Sequence, residues 1–204
     1  MTTTQPYEHS PHDWQSSEYV RDWVKNDVTK DEERRPILRR MLKKAGVAPE
    51  TSINVLDLGG GYGIVTSVVL EEFPNARVTL QDYSAPMLEH ARQRLSAHAG
   101  AMHFVHSDLQ DPAWVESVDG PYDLALSAIA IHTIGGRQHM EQVYHGVFGL
   151  LNAGGVLLNC DYDYTAPAEM QAKWLGQAGF ENVEVEAVAR DHLFVFSARK
   201  PASS

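Results

Sequence analysis

The chain has 204 residues, of which 43% are hydrophobic and 22% charged, and its formal net charge is -10 at pH 7. This length suits one α/β domain with a full core but not two such domains. The acidic balance argues against a nucleic-acid partner, which needs a basic surface. No apolar run approaches the ~20 residues of a membrane span. The polar start 1–5 lacks a signal-peptide pattern, so we expect a cytoplasmic protein without a membrane partner.

Residues 1–47 are predicted to form an N-terminal arm and a helical cap. Residues 1–15 show no periodicity, and an amphipathic helix then starts at Ser16 or Ser17. A capping-box pattern at 29–32 predicts the start of a second helix, which ends at Gly46. Tyr7, Trp14, Tyr19 and Trp23 give this segment a large aromatic surface.

Beyond residue 47, apolar runs of strand length alternate with segments of helical spacing, which predicts a mainly parallel sheet with helices on both faces. The expected strands are 53–58, 77–82, 102–106, 122–129 and 155–161. The expected helices are 63–73, 85–98, 112–117, 137–151 and 167–178. The glycines at 154–155 are expected to end the helix before the fifth strand. Two final extended runs, 181–188 and 191–199, are joined by a tight turn and therefore pair antiparallel. We assign 48–204 to a single domain.

The stretch 53–63 organises this domain. An apolar run containing Asp57 breaks into four glycines within five positions, and helical spacing follows over 64–73. Glycines let the backbone approach a ligand closely, and in a parallel sheet the ligand then lies at the carboxyl end of the strand. A dinucleotide fingerprint G-x-G-x-x-G fails in both possible registers, because its last position holds Ile64 or Thr66.

The pattern resembles motif I of the class I S-adenosylmethionine-dependent methyltransferases, hydrophobic-acid-hydrophobic-G-x-G-x-G. Asp57, Gly59, Gly61 and Gly63 occupy the matching positions. Weaker matches follow in the family's order, so that the resemblance covers about residues 50–200. It implies a Rossmann-like, seven-stranded, mainly parallel sheet with one antiparallel C-terminal strand. It also implies S-adenosylmethionine as cofactor and S-adenosylhomocysteine as product.

Two further acids match family positions. Asp82 closes the second strand, where its two carboxylate oxygens would accept from vicinal ribose hydroxyls. Asp108 follows the third strand and matches the position near the adenine amino group; alternatively it caps the turn before Pro112. The cofactor residues that the resemblance implies also include Tyr83, Met87, Leu109 and Ser127.

Few side chains are obligatory for methyl transfer, and a base is needed only where the acceptor must lose a proton. His132, just beyond the fourth strand on the ligand side, is the candidate general base; the alternative is a histidine that packs or caps its loop. Asp161 and Tyr162 follow the fifth strand and face the same cleft, where they would contact a polar acceptor. Asp161 and Asp163 are two acids without a third ligand, which is too little for a metal site, and we predict none.

The acceptor pocket is expected to be roofed by the segment 7–28, with Tyr7, Trp14, Tyr19 and Trp23, because the connection 162–166 and the last hairpin turn are too short to reach across the cleft. The alternative is that Tyr19 and Trp23 only dock the first helix on the sheet.

Six cations crowd the second helix: Arg34, Arg35, Arg39, Arg40, Lys43 and Lys44. They form a solvated face or, alternatively, a surface for an anionic substrate or RNA. The predicted function is methyl transfer from S-adenosylmethionine to oxygen or nitrogen of a small molecule. The alternatives are a non-catalytic methyltransferase-like binding subunit and, less favoured, a dinucleotide-dependent oxidoreductase.

Overall fold

The computed structural model of this protein describes residues 12–188 and 192–202. The strands are β1 (Asn54–Leu58), β2 (Arg77–Asp82), β3 (Met102–His106), β4 (Tyr122–Ala128), β5 (Leu151–Tyr162), β6 (Glu181–Ala187) and β7 (Leu193–Arg199). They form one seven-stranded sheet in the order β3-β2-β1-β4-β5-β7-β6. Strand β7 is antiparallel to both neighbours, and the pairs among β1 to β5 are parallel. The predicted fold is therefore confirmed.

Helices cover both faces of the sheet. They are α1 (Ser17–Asp27), α2 (Asp31–Lys43), α3 (Ile64–Glu72), α4 (Ala85–Arg94), α5 (Arg137–Leu150) and α6 (Ala168–Ala178). Side chains alternate along each strand: Val55 of β1 packs in the core beneath α1 to α4, whereas Leu56 and Leu58 pack beneath α5 and α6. None of these helices, which come from the described part of the chain, is long and apolar enough to cross a membrane.

The N-terminal helices pack on the sheet rather than standing apart. Ser16 caps α1 by accepting a hydrogen bond from the Tyr19 amide at 3.2 Å. The apolar stripes of both helices enter the same core as β1 and β2, with Val20, Val24, Leu38, Met41 and Leu42 buried. The division at residue 47 stays a prediction, and this shared core joins the cap to the rest of the fold.

The capping box predicted at 29–32 is wrong. The Thr29 hydroxyl donates back to the Asn26 carbonyl at 2.7 Å, and Lys30 precedes α2 without a side-chain cap. The chain runs from α1 through a 3-10 turn, Val28–Lys30, directly into α2. The Asp31 amide therefore bonds to a carbonyl of that turn instead of a side chain.

Two further boundaries differ from the prediction. Helix α4 ends at Arg94, and a 3-10 segment, Ser96–Ala101, follows. Strand β5 begins at Leu151, so Gly154 and Gly155 lie inside the strand instead of ending α5. Gly154 adopts a φ of 78°, and its amide donates to the Lys200 carbonyl at 3.0 Å. The glycine pair thus lets the irregular start of β5 join the end of the sheet.

Candidate active site

The glycine turn after β1 has the backbone that its sequence predicts. Gly59, Gly61 and Gly63 have φ angles of 61°, 53° and 84°, in the left-handed region that favours glycine. A Cβ added to Gly59 would lie 2.5 Å from the Cβ of Ala130, so the loop after β4 presses directly on the turn. A Cβ on Gly61 would meet no atom within 4 Å. The turn is therefore packed on one side and open on the other.

Asp82 fastens this turn to the end of β2. Its Oδ2 accepts from the Gly61 amide at 2.8 Å, and its Oδ1 accepts from the Ser84 amide at 2.7 Å. Burial raises the pKa of Asp82, and the backbone donors act against that shift. Each carboxylate oxygen keeps a second lone pair, so the group could still accept from hydroxyls of a bound ligand.

Asp57 lies beneath the turn, fully buried, and does not line the cavity described below. Its Oδ2 accepts from the Thr66 hydroxyl at 2.6 Å, while its Oδ1 has no partner among the described residues. Burial raises the pKa of Asp57 to about 7, with the negative charge of Asp82 adding to the shift and the Thr66 hydrogen bond opposing it. Asp57 therefore supports the turn from behind.

Ser127 and Gly63 also lie outside the cavity lining. The Ser127 hydroxyl is buried and donates to the Leu58 carbonyl at 2.9 Å, which ties the end of β4 to the end of β1. Gly63 precedes the first residue of α3. Both positions shape the turn from the side away from a ligand.

A cavity of about 300 Å³ opens at the carboxyl ends of β1, β2 and β4. We call its two sides the glycine wall, formed by 59–62, 81–83, Met87 and 108–110, and the cap wall, formed by Trp14, Trp23, Asp27, Arg34, Ile37 and Leu38. The predicted residues that line it are Trp14, Trp23, Gly59, Gly61, Asp82, Tyr83, Met87, Asp108 and Leu109. Nine predicted residues from four separate segments therefore meet at one cavity.

Several lining residues were not predicted: Arg34, Ile37, Leu38, Tyr62, Gln81, Ile129 and Ala130. One sequence signal was available, since Arg34, Ile37 and Leu38 are three and four positions apart and share a helix face. Because Arg34 also belongs to the cluster of six cations, its position on this helix face was not recognised from the sequence. Gln81 had no such signal, although its side chain accepts from the Gly59 amide at 3.2 Å.

The loop after β4 enters the cavity in a strained conformation. Ile129 has a φ of 54°, which is unfavourable for a β-branched residue, and its amide donates to the Cys160 carbonyl at 2.8 Å. Strain of this kind persists where the surroundings hold it, and it concentrates at functional sites. Here the strained residue and the following Ala130 both line the cavity beside Gly59.

His132 and Asp161 form a hydrogen-bonded pair near the carboxyl ends of β4 and β5. Asp161 is fully buried, and its Oδ1 lies 2.5 Å from His132 Nδ1 while its Oδ2 accepts from the His132 amide at 2.9 Å. The ring of Tyr162 packs edge-on against the imidazole with centroids 5.5 Å apart. Ala130 and Thr133 line the cavity, whereas His132, Asp161 and Tyr162 do not. The carboxylate fixes the ring orientation and leaves Nε2 as the nitrogen available for proton transfer.

Asp108 combines features of both of its predicted roles. It lines the cavity, and its Oδ1 also accepts from the Gln110 amide at 2.8 Å. Asp108 thus caps the turn before Pro112, and the 3-10 segment that starts at Pro112 has its own cap, Asp111, whose side chain accepts from the Ala113 amide at 3.0 Å. Asp108 thus holds its own loop and presents its carboxyl group to the cavity.

The cap wall is built from aromatic rings in edge-on contact. Trp23 lies between Trp14 and Tyr62, with ring centroids 5.2 and 6.0 Å away. Tyr19 packs on the Trp14 ring at 5.4 Å and does not line the cavity. Tyr7 lies outside the described residues. The predicted aromatic roof is therefore represented at the cavity by two tryptophans.

The cap is also bonded to the glycine wall. The Ser84 hydroxyl donates to the Trp14 carbonyl, and the Gln15 amide group donates to the Tyr83 carbonyl at 2.9 Å. These contacts join Trp14 and Gln15 to the segment just after Asp82, which lies about 70 positions further along the chain. The cap wall and the glycine wall are thus held together by hydrogen bonds as well as by packing.

The cationic cluster of α2 divides into two groups. On the outside, Arg35 donates to Glu71 at 2.7 Å, Arg39 to Glu72 at 3.0 Å, and Lys44 lies 3.0 Å from Glu186. Arg34 alone of the six cations lines the cavity. Within residues 12–188 and 192–202, no three His, Cys, Asp or Glu side chains are arranged to hold a metal ion.

The sequence of this chain is similar to those of known methyltransferases. A family model described as a methyltransferase domain matches residues 56–157, half of the chain. The trans-aconitate 2-methyltransferase of Paracidovorax citrulli is 34% identical over 146 residues, which are 72% of this chain and 49% of that protein. The ribosomal RNA small subunit methyltransferase C of Citrobacter koseri is 30% identical over 115 residues, 54% of this chain and 32% of that protein.

Among solved structures, an O-methyltransferase family protein from Burkholderia thailandensis superposes with a TM-score of 0.74 at 18% identity, over 95% of this chain and 62% of that one. At this identity the likeness concerns the fold alone. The chain spans about half the length, or less, of the curated relatives that it matches.

The strand order, the glycine turn and the acid at the end of β2 define a Rossmann-like domain of the kind that binds an adenosine-containing cofactor. The chain belongs to the S-adenosylmethionine-dependent methyltransferases. The residues present fit the cofactor of this family. Asp82 keeps lone pairs for hydroxyl groups, Gly61 leaves open space, and Met87 and Leu109 give the cavity apolar surface.

Proposed function

We propose that this protein transfers the methyl group of S-adenosylmethionine to an oxygen or nitrogen atom of a small-molecule acceptor. The observation that carries this proposal is the cavity between the glycine wall and the cap wall. Its size, about 300 Å³, and the rings of Trp14 and Trp23 on one side suit a small molecule. A polymer strand needs an open groove instead.

The cofactor supplies an electrophilic methyl group when it is bound, so the protein mainly has to position the acceptor and exclude water. In this proposal Gly59, Gly61, Asp82, Tyr83 and Met87 hold the cofactor. The cap wall closes over the acceptor and keeps water out.

His132 is proposed to take a proton from the acceptor. Its orientation by Asp161 supports this role, because a ring held through Nδ1 offers Nε2 in a fixed direction. Two chain neighbours of His132, Ala130 and Thr133, line the cavity. The acceptor would therefore reach His132 past the strained loop at Ile129, with Tyr162 beside the imidazole.

A small molecule is favoured over nucleic acid by charge. The net charge is -10, and four of the five outward cations of the cluster, Arg35, Arg39, Arg40 and Lys44, are paired with glutamates. The names of two relatives mention different acceptors: one mentions trans-aconitate, a small molecule, and the other mentions ribosomal RNA. The acidic surface supports the first of these two kinds of acceptor. A cytoplasmic location stays part of this proposal.

The test is a screen of small carboxylic acids, phenols and amines for release of S-adenosylhomocysteine from S-adenosylmethionine. We expect at least one small acceptor to give turnover, with none from ribosomal RNA or DNA. A protein that binds S-adenosylhomocysteine but turns over no acceptor would favour the non-catalytic binding subunit. Turnover on RNA alone would contradict the small-molecule assignment.

A further inference from the structure

Arg34 lines the cavity, and part of its guanidinium makes no hydrogen bond within the described residues. Its Nη1 donates to Asp27 Oδ2 and to the Tyr62 hydroxyl at 3.2 Å, and its Nη2 donates to Asp27 Oδ1 at 2.8 Å. Nε is buried without a partner among the described residues. A guanidinium has five N–H groups, so Nε–H and the second N–H of Nη2 are the two that these contacts leave over.

These two N–H groups lie on one edge of the planar guanidinium and point in the same direction. Asp27 occupies the other, end-on edge with both of its oxygens. The remaining edge has the spacing of a carboxylate and binds one through two parallel hydrogen bonds. A buried N–H without a partner is costly, and in native proteins such a group usually marks a missing ligand, ion or water.

The charge balance around Arg34 leaves room for one anion. Three cations, Lys30, Arg34 and Arg94, pair with two carboxylates, Asp27 and Asp31. Burial alone would raise the pKa of Asp27, but its hydrogen bond and ion pair with Arg34 outweigh burial and lower it. Asp27 is therefore ionised at neutral pH, and the network holds one more cationic side chain than carboxyl groups.

The rest of the cavity points to the same place for an anion. The carboxyl groups of Asp82 and Asp108 lie on the glycine wall and repel a second negative charge. Arg34 is on the cap wall, in α2, where its Nη1 donates to the Tyr62 hydroxyl. An anion in the cavity is thus directed towards Arg34.

We propose that Arg34 binds a carboxylate in the cavity through its Nε–Nη2 edge. This inference rests on the proposed function and deepens it. The carboxylate has two possible sources: the amino-acid end of the cofactor, or an acceptor that is itself a carboxylic acid. Both present the same two oxygens to the same edge, and the experiment separates them.

The test uses the full chain and Arg34→Lys, which keeps a cation for Asp27 but loses the second edge. Dissociation constants are measured calorimetrically for three compounds. The first two are S-adenosylhomocysteine and methylthioadenosine, which lacks the amino-acid end. The third is trans-aconitate, measured with the protein saturated with S-adenosylhomocysteine. The matched control is Arg35→Lys, since Arg35 is the adjacent cation of the same helix and pairs outside the cavity with Glu71.

If the cofactor supplies the carboxylate, Arg34→Lys weakens S-adenosylhomocysteine binding by about 10-fold or more and leaves methylthioadenosine within about 2-fold. If the acceptor supplies it, S-adenosylhomocysteine binding is kept and trans-aconitate binding is lost. If Arg34→Lys does not fold, the double variant Asp27→Asn/Arg34→Gln takes its place. It also lacks the Arg34 edge and leaves no unpaired carboxylate at position 27. Its dissociation constants for the three compounds are compared with those of the parent in the same way.

The inference is overturned if the folded variant binds all three compounds as the parent does. In that case the proposed function still stands, because the parent binds its cofactor product. A parent that binds neither S-adenosylhomocysteine nor methylthioadenosine overturns the proposed function and this inference together.

Discussion

The glycine wall and the cap wall enclose one cavity but are built in different ways. The glycine wall is held by backbone amides, with Gly61 bonded to Asp82 and Gly59 to Gln81, directly after two paired parallel strands. The cap wall is held by side chains from α1, α2 and the preceding arm. Backbone contacts fix the first wall to the sheet, whereas ring packing and ion pairs assemble the second.

From this difference we propose different main tasks for the two walls. A wall made of backbone and buried carboxyl groups suits a ligand that is the same in every reaction, namely the cofactor. A wall made of side chains can change from protein to protein without disturbing the sheet, which suits the acceptor. The predictions below test whether binding and turnover separate along the same line.

The largest expected effect is on turnover, from His132→Gln. If His132 removes a proton from the acceptor, kcat falls by about 100-fold or more and the acid limb of the pH profile disappears. Affinity for S-adenosylhomocysteine stays near that of the parent, because His132 does not line the cavity. Steady-state kinetics with the acceptor found by the screen measure this. His145→Gln, an exposed histidine on α5, is the control, and a rate within a fewfold of the parent would return His132 to a structural role.

On the glycine wall, Asp57→Asn should change how stability depends on pH. Burial raises the pKa of Asp57 to about 7, so the folded protein binds a proton there that the unfolded chain releases near pH 4. The resulting stabilisation is full below pH 4 and is lost as pH rises through about 7.

Between pH 5 and pH 8 this loss amounts to roughly 2 to 3 kcal/mol in the parent. Urea unfolding at several pH values should show a flatter profile for Asp57→Asn, with the variant gaining on the parent as pH rises. The amide oxygen can still accept from Thr66, so the variant keeps the hydrogen bond that orders this position. Parallel profiles for the two proteins would mean that Asp57 is ionised throughout this range.

The sequence was sufficient for most of the glycine wall because its main features are local, although Tyr62 and Gln81 were missed. A strand, a glycine turn and an acid after the next strand follow from short patterns, and parallel pairing brings Gly61 and Asp82 together. The fold followed in the same way from the alternation of strands and helices. Only boundaries failed, as at Gly154, where pairing with the end of β7 overrode the usual helix-ending role of glycine.

The cap wall could be predicted only in part. Aromatic content indicated Trp14 and Trp23, but helical spacing alone does not tell which of two aromatic residues faces a cavity, and Tyr19 packs behind them. Ion pairs across the chain, such as Arg39 with Glu72, decide which cations of α2 turn outward. The strained φ of Ile129 has no sequence signature at all.

Asp82→Ala should weaken cofactor binding by ~1.5 to 3 kcal/mol, the worth of charge-assisted hydrogen bonds. The structure adds a second cause, since the amides of Gly61 and Ser84 lose their acceptors. Asp82→Asn keeps one oxygen acceptor and should show a smaller loss. Calorimetric titration with S-adenosylhomocysteine measures both, and an unchanged dissociation constant in a folded Asp82→Ala protein would reject the ribose assignment.

The smallest effect concerns Trp14 on the cap wall. Deletion of the first 28 residues would not isolate it, because Val20 and Val24 are buried in the core and their loss would unfold the cap. Trp14→Ala removes one ring of the roof and leaves α1 in place. We expect turnover to fall about 10-fold, as water enters and the acceptor loses its positioning, with S-adenosylhomocysteine affinity within about 3-fold of the parent.

Tyr19→Ala is the matched control for Trp14→Ala, since Tyr19 packs on the Trp14 ring from the side away from the cavity. It removes aromatic surface from the same cap and should lower turnover less. If the two variants lose equal activity, the cap acts by docking α1 on the sheet and not by covering the acceptor. If Trp14→Ala weakens cofactor binding as much as turnover, the two walls do not divide the work, and Trp14 belongs to the cofactor site.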